Sequence, residues 1–381
     1  MILNQAESLL LVSSAAAVLP SVSRLLRLPA PVMEILFGVV LGKSLLCIQF
    51  SGEWIEFLAF LGFLLLMFHA GMTIDFSALL KQSMGQLSFH LLLFGTTLFL
   101  SLFAAFYLGQ GVFIALVLTT TSLGLVMPTL REVGIQKTPF GQTILIAASL
   151  ADFLTLLGIT FFILWRQHGI DWHFFSPLPL IVGFGILLWA GRLWAWWNPE
   201  QAERLLGAQD SQELGVRLSL ALLFLFVAVS ELVRIEPVLG AFMGGCVLSF
   251  VFREKGQLES KLSALGFGFL IPFFFINVGV QFDLSSILRP GQLSFTLKLL
   301  ILSVVVKILP TMLLKFQRFS FKDGLRAGIL LSTRLSLIIA AATIGLEEGL
   351  ITLEIKDSII LLALLTCLLG PTLFKLFNSK C

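Results

Sequence analysis

"GVFIALVLTTTSLGLVMPTLREVG", residues 111–134, is apolar and long enough to cross a bilayer, which takes about 20 residues. Its centre, Thr119-Thr120-Thr121-Ser122-Leu123-Gly124, is poor helix. β-Branched Thr is disfavoured there, Ser and Thr hydroxyls compete for the backbone, and Gly loosens it. Pro128 follows about a turn later. A second apolar stretch, "GILLSTRLSLIIAAATIG" (328–345), carries the same flaw at Leu331-Ser332-Thr333-Arg334-Leu335-Ser336. Taken alone, the Thr/Ser run also fits small polar residues gluing neighbouring helices. Its repetition favours interruption. Each flawed stretch lies between two apolar ones, so 86–165 can be laid over 294–378. Paired interrupted helices in matching positions mark secondary transporters built from inverted repeats, and unwound backbone is tolerated at membrane depth only where it lines a cavity or packs in protein.

The composition agrees. Of 381 residues, 57% are hydrophobic and 12% charged. A soluble chain carries about a quarter charged residues. The mean hydropathy is +1.00, and 37 Phe stand against one Tyr. A net charge of +3 gives no basic stripe for nucleic acid. The four cysteines have no disulfide or metal spacing, and the first apolar run lacks the basic flank of a cleaved signal. The expected fold is an all-α polytopic membrane protein of about 13 spans. They lie near 4–22, 31–48, 54–74, 86–109, 111–131, 139–165, 175–196, 213–233, 236–252, 262–282, 294–314, 324–346 and 356–378, with broken crossing helices near 119–124 and 331–336. The longest polar insert, "WNPEQAERLLGAQDSQE" (197–213), divides the chain in two. No cofactor is expected, nor room for a nucleotide-binding regulatory domain before Cys381.

Of the 25 Lys and Arg, seventeen fall in one set of alternate loops and six in the other, Lys43, Arg166, Arg234, Arg289, Lys298 and Lys356. The richer set is read as cytoplasmic, with the N-terminus outside and the C-terminus inside the cell (inner) membrane. Lys307 and Arg334 belong to neither set. With Asp152, in "ILIAASLADFLTLLGITFF" (144–162), they are charges inside spans. An Asp at a helix centre costs roughly 2.5–3.5 kcal/mol, and such residues mark ion or substrate pathways. Glu347, Glu348, Glu354 and Asp357 are expected in a solvated outer loop. His69 and His90 are read as helix–helix hydrogen-bonding groups ahead of pH sensors.

Five motifs, in order, carry a resemblance that runs essentially end to end: "LPAPVMEILFGVVLGKSLL" (28–46), "LLLMFHAGMTID" (64–75), "LTTTSLGLVMPTLREVG" (118–134), "EPVLGAFMGGCVLS" (236–249) and "LIPFFFINVGVQFDL" (270–284). The chain resembles the monovalent cation:proton antiporter-2 family, with the sodium/hydrogen exchanger-like fold. The resemblance implies that Asp152 is the ion-binding aspartate, with Thr120 and Thr121 beside it. It places Lys307 where many relatives hold a lysine and implies a homodimer; Arg334, Ser122 and Ser149 are read as supporting residues beside it. Two positions depart from the pattern. Electrogenic relatives carry Asp-Asp where this chain has Ala151-Asp152, and the Arg-Gly-Glu of many relatives is Arg334-Leu335-Ser336 here.

These readings converge on one transporter domain, 1–381. Spans 1–3 and 8–10 (about 1–75 and 213–282) would form a scaffold, and spans 4–6 and 11–13 (about 86–165 and 294–378) an ion-carrying core. A buried carboxyl holds either a proton or a monovalent cation, Na+ or K+, since desolvation penalises the bare charge. Thr hydroxyls and freed carbonyls are the oxygen ligands hard cations prefer. With one acid the simplest cycle is electroneutral. Lys307 is expected to pair with Asp152 or to lose its proton. Arg334 is expected to neutralise carbonyl ends, with Glu34 or Asp75 as acid partners. The rival reading is a sodium-coupled symporter of a small organic anion, which would want a larger polar cavity. An aspartyl protease would need two facing carboxylates, and a channel a filter-like segment.

Overall fold

The computed structural model describes residues 2–26, 28–46, 48–50, 53–73, 83–169, scattered positions between 183 and 197, 213–232, 237–251, 256–287 and 290–378. Apart from a two-residue parallel ladder, β1 (Ile2–Leu3) with β2 (Gln49–Phe50), the fold is helical. In chain order the helices are α1 (Gln5–Leu26), α2 (Ala30–Leu41), α3 (Glu53–Met72), α4 (Met84–Tyr107), α5 (Val112–Thr119), α6 (Leu123–Glu132), α7 (Pro139–His168), α8 (Leu214–Leu232), α9 (Pro237–Val251), α10 (Gly256–Leu265), α11 (Ile271–Gln281), α12 (Leu284–Ile287), α13 (Pro290–Thr311), α14 (Phe321–Leu331), α15 (Ser336–Glu347) and α16 (Leu353–Asn378). A π-turn at Gly266–Leu270 joins α10 to α11, and a 3-10 segment follows α13.

Among the described residues nine helices are long and apolar enough to cross a membrane, ten if the bent pair α14–α15 is one span. The chain is therefore an integral membrane protein. Shorter apolar helices, α2 and α9, occupy the second and ninth expected spans. The seventh, 175–196, lies mostly outside the described residues, as does most of the polar insert 197–213. Exposed apolar side chains fit a lipid-facing surface. Phe99, Phe103 and Phe106 of α4 are 69%, 71% and 63% exposed.

Two compact units divide the chain. The first holds 1–26, 33–80 and 160–281, and the second 27–32, 81–159 and 282–381. In the first unit α1, α3 and α11 bury Val12, Leu19, Ile55, Phe273 and Ile276 in one cluster. Lipid supplies no hydrophobic drive between helices, so close backbone approach must hold them. Two glycine crossings provide it. A Cβ on Gly245 of α9 would collide with the Phe68 carbonyl of α3, and one on Gly279 of α11 with the Ile35 carbonyl of α2. A Cβ on Gly38 would in turn meet the backbone at Gly279.

In the second unit the cluster runs through Leu93, Leu123, Val126, Ile144, Ala148, Leu330 and Phe374, gathering α4, α6, α7, α14 and α16. Both flawed stretches fall here and both are broken. The fifth span stops at Thr119 and restarts at Leu123. The twelfth stops at Leu331 and restarts at Ser336, with a 47° bend. Capping boxes start two helices of this unit, Ser83 with Gln86 on α4 and Ser320 with Asp323 on α14.

Of the expected outer acidic loop, Glu347 and Glu354 are exposed and Glu348 half-buried, and Asp357 is the correction. α16 starts at Leu353, so Lys356 and Asp357 lie within helix, 3% and 0% exposed. Gln292 and Thr296 of α13 meet Ser358 in the same turn at 2.6 and 2.8 Å. That packing removes Lys356 and Asp357 from water while Glu354 stays exposed, which a charge-rich stretch read by itself does not reveal.

The glycine crossings predict that Gly245→Leu and Gly279→Val each lower the melting temperature in detergent sharply, because the obstructing atoms are backbone. Gly95→Ala, which would meet no atom, should melt within a degree or two of the native protein. A fluorescence melt following the Trp residues would measure all three.

Candidate functional site

The breaks create the chemistry. α5 ends at Thr119 and leaves its last carbonyls without intrahelical donors, while the amides of α6 begin at Leu123. These carbonyls carry partial negative charge and these amides partial positive charge. The charged side chains sort themselves accordingly.

Arg334, 0% exposed in the twelfth-span break, donates to carbonyls alone. Its Nη2 reaches Leu118 O at 2.8 Å and Ser303 O at 2.9 Å, its Nε Thr120 O at 3.1 Å, and its Nη1 Ser332 O at 3.4 Å. One guanidinium thus ties both broken spans and α13 together. Five N–H donors in a rigid fork suit that task. No acid takes part in these bonds. Of the two expected partners, Glu34 is absent from them and Asp75 lies outside the described residues.

Lys307, 4% exposed on α13, donates from Nζ to Thr119 O at 2.6 Å and to Thr121 Oγ1 at 2.8 Å. It makes no ion-pair contact with Asp152, although each feels the other's charge. Of the two expectations for Lys307, the direct pair with Asp152 is not formed: a carbonyl and a hydroxyl of the broken span take the place of the acid. Ser303, a turn earlier on α13, offers its carbonyl to Arg334, so one helix face braces both cations.

Asp152 lies near the middle of the 30-residue α7 and is partly exposed. The Leu123 amide, first of α6, donates to its Oδ2 at 3.4 Å, and the Thr121 amide also faces the carboxylate. Oδ1 is buried with no hydrogen-bond partner among the described residues. An acid sits where the helix start is positive, and two cations sit where the helix ends are negative.

The other expected residues lie around this arrangement. Thr120, fully buried, donates its hydroxyl to Val117 O at 2.7 Å, and its carbonyl accepts from Arg334. Thr121 Oγ1 is engaged by Lys307. Ser122 is the N-cap of α6 without a side-chain capping bond. Ser149, one turn before Asp152, is 7% exposed and makes no hydrogen bond to the carboxylate. Sequence reasoning missed Thr155, whose hydroxyl lies 3.0 Å from Thr119 Oγ1 and joins α7 to the end of α5. The available signal was its place one turn after Asp152 on the same helix face. It also missed a small polar cavity lined by His90, Thr97, Thr121, Ala151, Lys307 and Thr311, among others.

Comparison with known proteins identifies relatives. A family profile described as "Sodium/hydrogen exchanger, transmembrane" matches residues 11–377. The chain is 32% identical over 370 residues to the putative Na(+)/H(+) antiporter YjbQ of Bacillus subtilis, covering 92% of this chain and 59% of that protein, whose length it therefore spans only in part. It is 28% identical over 392 residues to the probable Na(+)/H(+) antiporter 3 of Methanocaldococcus jannaschii, covering 97% of this chain and 96% of that one. Its fold matches the sodium proton antiporter MjNhaP1 of Methanocaldococcus jannaschii with a TM-score of 0.68 at 16% identity, over 98% of this chain and 97% of that one. These relatives are named as transporters rather than enzymes.

The carbonyl cage makes a stability prediction. Arg334→Ala orphans the Leu118 and Thr120 carbonyls at the break, each at roughly 1–3 kcal/mol, and should lower the melting temperature in detergent strongly. Arg334→Lys keeps the charge but loses the fork, and should fall between the two. Equal melting of Arg334→Ala and native protein would contradict the bracing role.

Proposed function

Because this chain belongs to the sodium/hydrogen exchanger transmembrane family, we propose that it is a secondary active antiporter exchanging a monovalent cation for protons at Asp152. The observation that carries the reading is the carboxylate itself. It is a partly exposed acid in mid-span, drawn to the first amide of a broken helix, with Oδ1 unpartnered. Such an oxygen takes a proton or a hard cation in turn. The bare carboxylate is disfavoured away from water, so the protonated and cation-loaded forms are the ones that cross.

The geometry divides the expected roles. Asp152 supplies the charge that binds the ion. Thr120, whose hydroxyl keeps lone pairs after donating to Val117 O, is an oxygen ligand. Thr121 anchors Lys307. Spans 4–6 and 11–13 carry the site, and spans 1–3 and 8–10 serve as scaffold and as the surface of a homodimer in the inner membrane.

One cation for one proton follows as the cycle. Ala151 offers no second carboxylate beside Asp152, and Lys307 is held by Thr119 O and Thr121 Oγ1 without direct contact with the acid. Na+ and K+ are both served by these oxygens.

Proteoliposomes with a lumenal pH dye test the assignment. Sodium or potassium added outside should move protons with native protein, and Asp152→Asn should lose at least ninety per cent of that rate (about tenfold, the scale of losing a group that acts directly in the step). Proton movement that persists in Asp152→Asn would move the site elsewhere. A potassium-diffusion potential, with valinomycin and sodium as the exchanged cation, should leave the rate unchanged. A rate that follows voltage would exclude the one-to-one cycle.

A further inference from the structure

The cavity beside Lys307 has apolar walls as well as polar groups with bonds to spare. It measures about 20 Å³ as space open to the centre of a water molecule, and one water needs roughly 10–15 Å³ on that measure and two to four polar partners. His90 of α4 lines it. The imidazole is 4% exposed, meets the edge of Phe89, and has no hydrogen-bond partner among the described residues. A buried imidazole without a partner calls for one. This overturns its sequence reading as a helix–helix hydrogen bond.

The remaining lining completes a water site. The Lys307 ammonium has three donors and spends two, on Thr119 O and Thr121 Oγ1. Thr121 accepts there and keeps its own proton. Thr97 donates to Leu93 O at 2.8 Å and Thr311 to Ile308 O at 2.8 Å, so each retains acceptor lone pairs. Ala151, with no side chain beyond its methyl, leaves the space open.

We propose that this cavity binds one water molecule bridging the His90 imidazole and the Lys307 ammonium, and that His90 is thereby a positioning residue, holding Lys307 on the broken span and away from Asp152. The inference rests on the antiport reading. If the third bond is lost, the ammonium is freer to turn toward the carboxylate, where it competes with the transported cation. The consequence is weaker apparent cation affinity, with the turnover of the loaded carrier preserved.

The test is cation-driven proton exchange in proteoliposomes of native protein, Asp152→Asn, His90→Leu and His90→Gln, titrated with sodium. His90→Leu should raise the apparent KM about fivefold with maximal rate within twofold, and His90→Gln, which keeps polar groups at that position, should return KM to within twofold of native. An unchanged KM in His90→Leu, or equal rises in both variants, would overturn the bridge while leaving the Asp152→Asn result intact. No exchange by the native protein, or full exchange by Asp152→Asn, would bring down the antiport reading and this inference with it. Should His90→Leu not fold, radiolytic labelling of the native protein in ¹⁸O water decides. Rapid oxidation of the buried His90 supports a bound water, and His90 left unlabelled rejects it.

Discussion

The second unit depends on a single requirement: backbone groups freed inside a membrane must find partners. Two spans are broken there, and each break releases carbonyls that water cannot reach. Arg334 meets most of that need, donating to the Leu118, Thr120 and Ser332 carbonyls at the breaks, and to Ser303 O of α13, from one planar group. A guanidinium is costly to bury alone. Here the helix ends that need donors are the anionic field that it needs, so each cost offsets the other. The interruptions and the arginine make sense only together.

The same logic orders the remaining charges. Lys307 adds its ammonium at the end of α5, where the carbonyl of Thr119 is unsatisfied. Asp152 takes the opposite pole, at the first amide of α6. Two cations and one acid around paired half-helices leave the acid as the group with an unpartnered oxygen. The cations bond the broken backbone, and the proposed antiport assigns exchange to the carboxylate. This asymmetry is what the proposed antiport uses.

Much of this was legible in the sequence, for identifiable reasons. Thr and Ser runs disturb helices locally, so both breaks could be placed within a residue or two. Charges inside apolar spans stand out, which gave Asp152, Lys307 and Arg334. Partners were harder. Main-chain carbonyls have no letter in a sequence, so Arg334 could be assigned to carbonyl ends in general but not to particular ones, and the acids Glu34 and Asp75 were named beside them; for Lys307 the visible candidate partner was Asp152. The true acceptors were Leu118, Thr119, Thr120 and Ser303, whose side chains say nothing about their carbonyls. Asp357 and Lys356 misled in the other direction. Charge suggested water, whereas packing of α13 against α16 buries them. Thr155 and His90 needed the three-dimensional fold, since their neighbours come from other helices.

The alanine before Asp152 is the residue on which the ionic character of the site turns. A buried ammonium is usually held to require an acid, and Ala151 denies Lys307 one at that position. The structure offers another solution, a carbonyl at 2.6 Å and a hydroxyl at 2.8 Å on the broken span, with a polar cavity on the remaining side. A lysine bonded to neutral oxygens feels the occupancy of Asp152 through charge alone, without a shared hydrogen bond. A lysine paired to a second carboxylate would follow its partner, because both titrate as a unit. The chain therefore separates two tasks that one ion pair could have combined. Lys307 and Arg334 bond the carbonyls at the breaks, and in the proposed cycle Asp152 is the group that changes occupant.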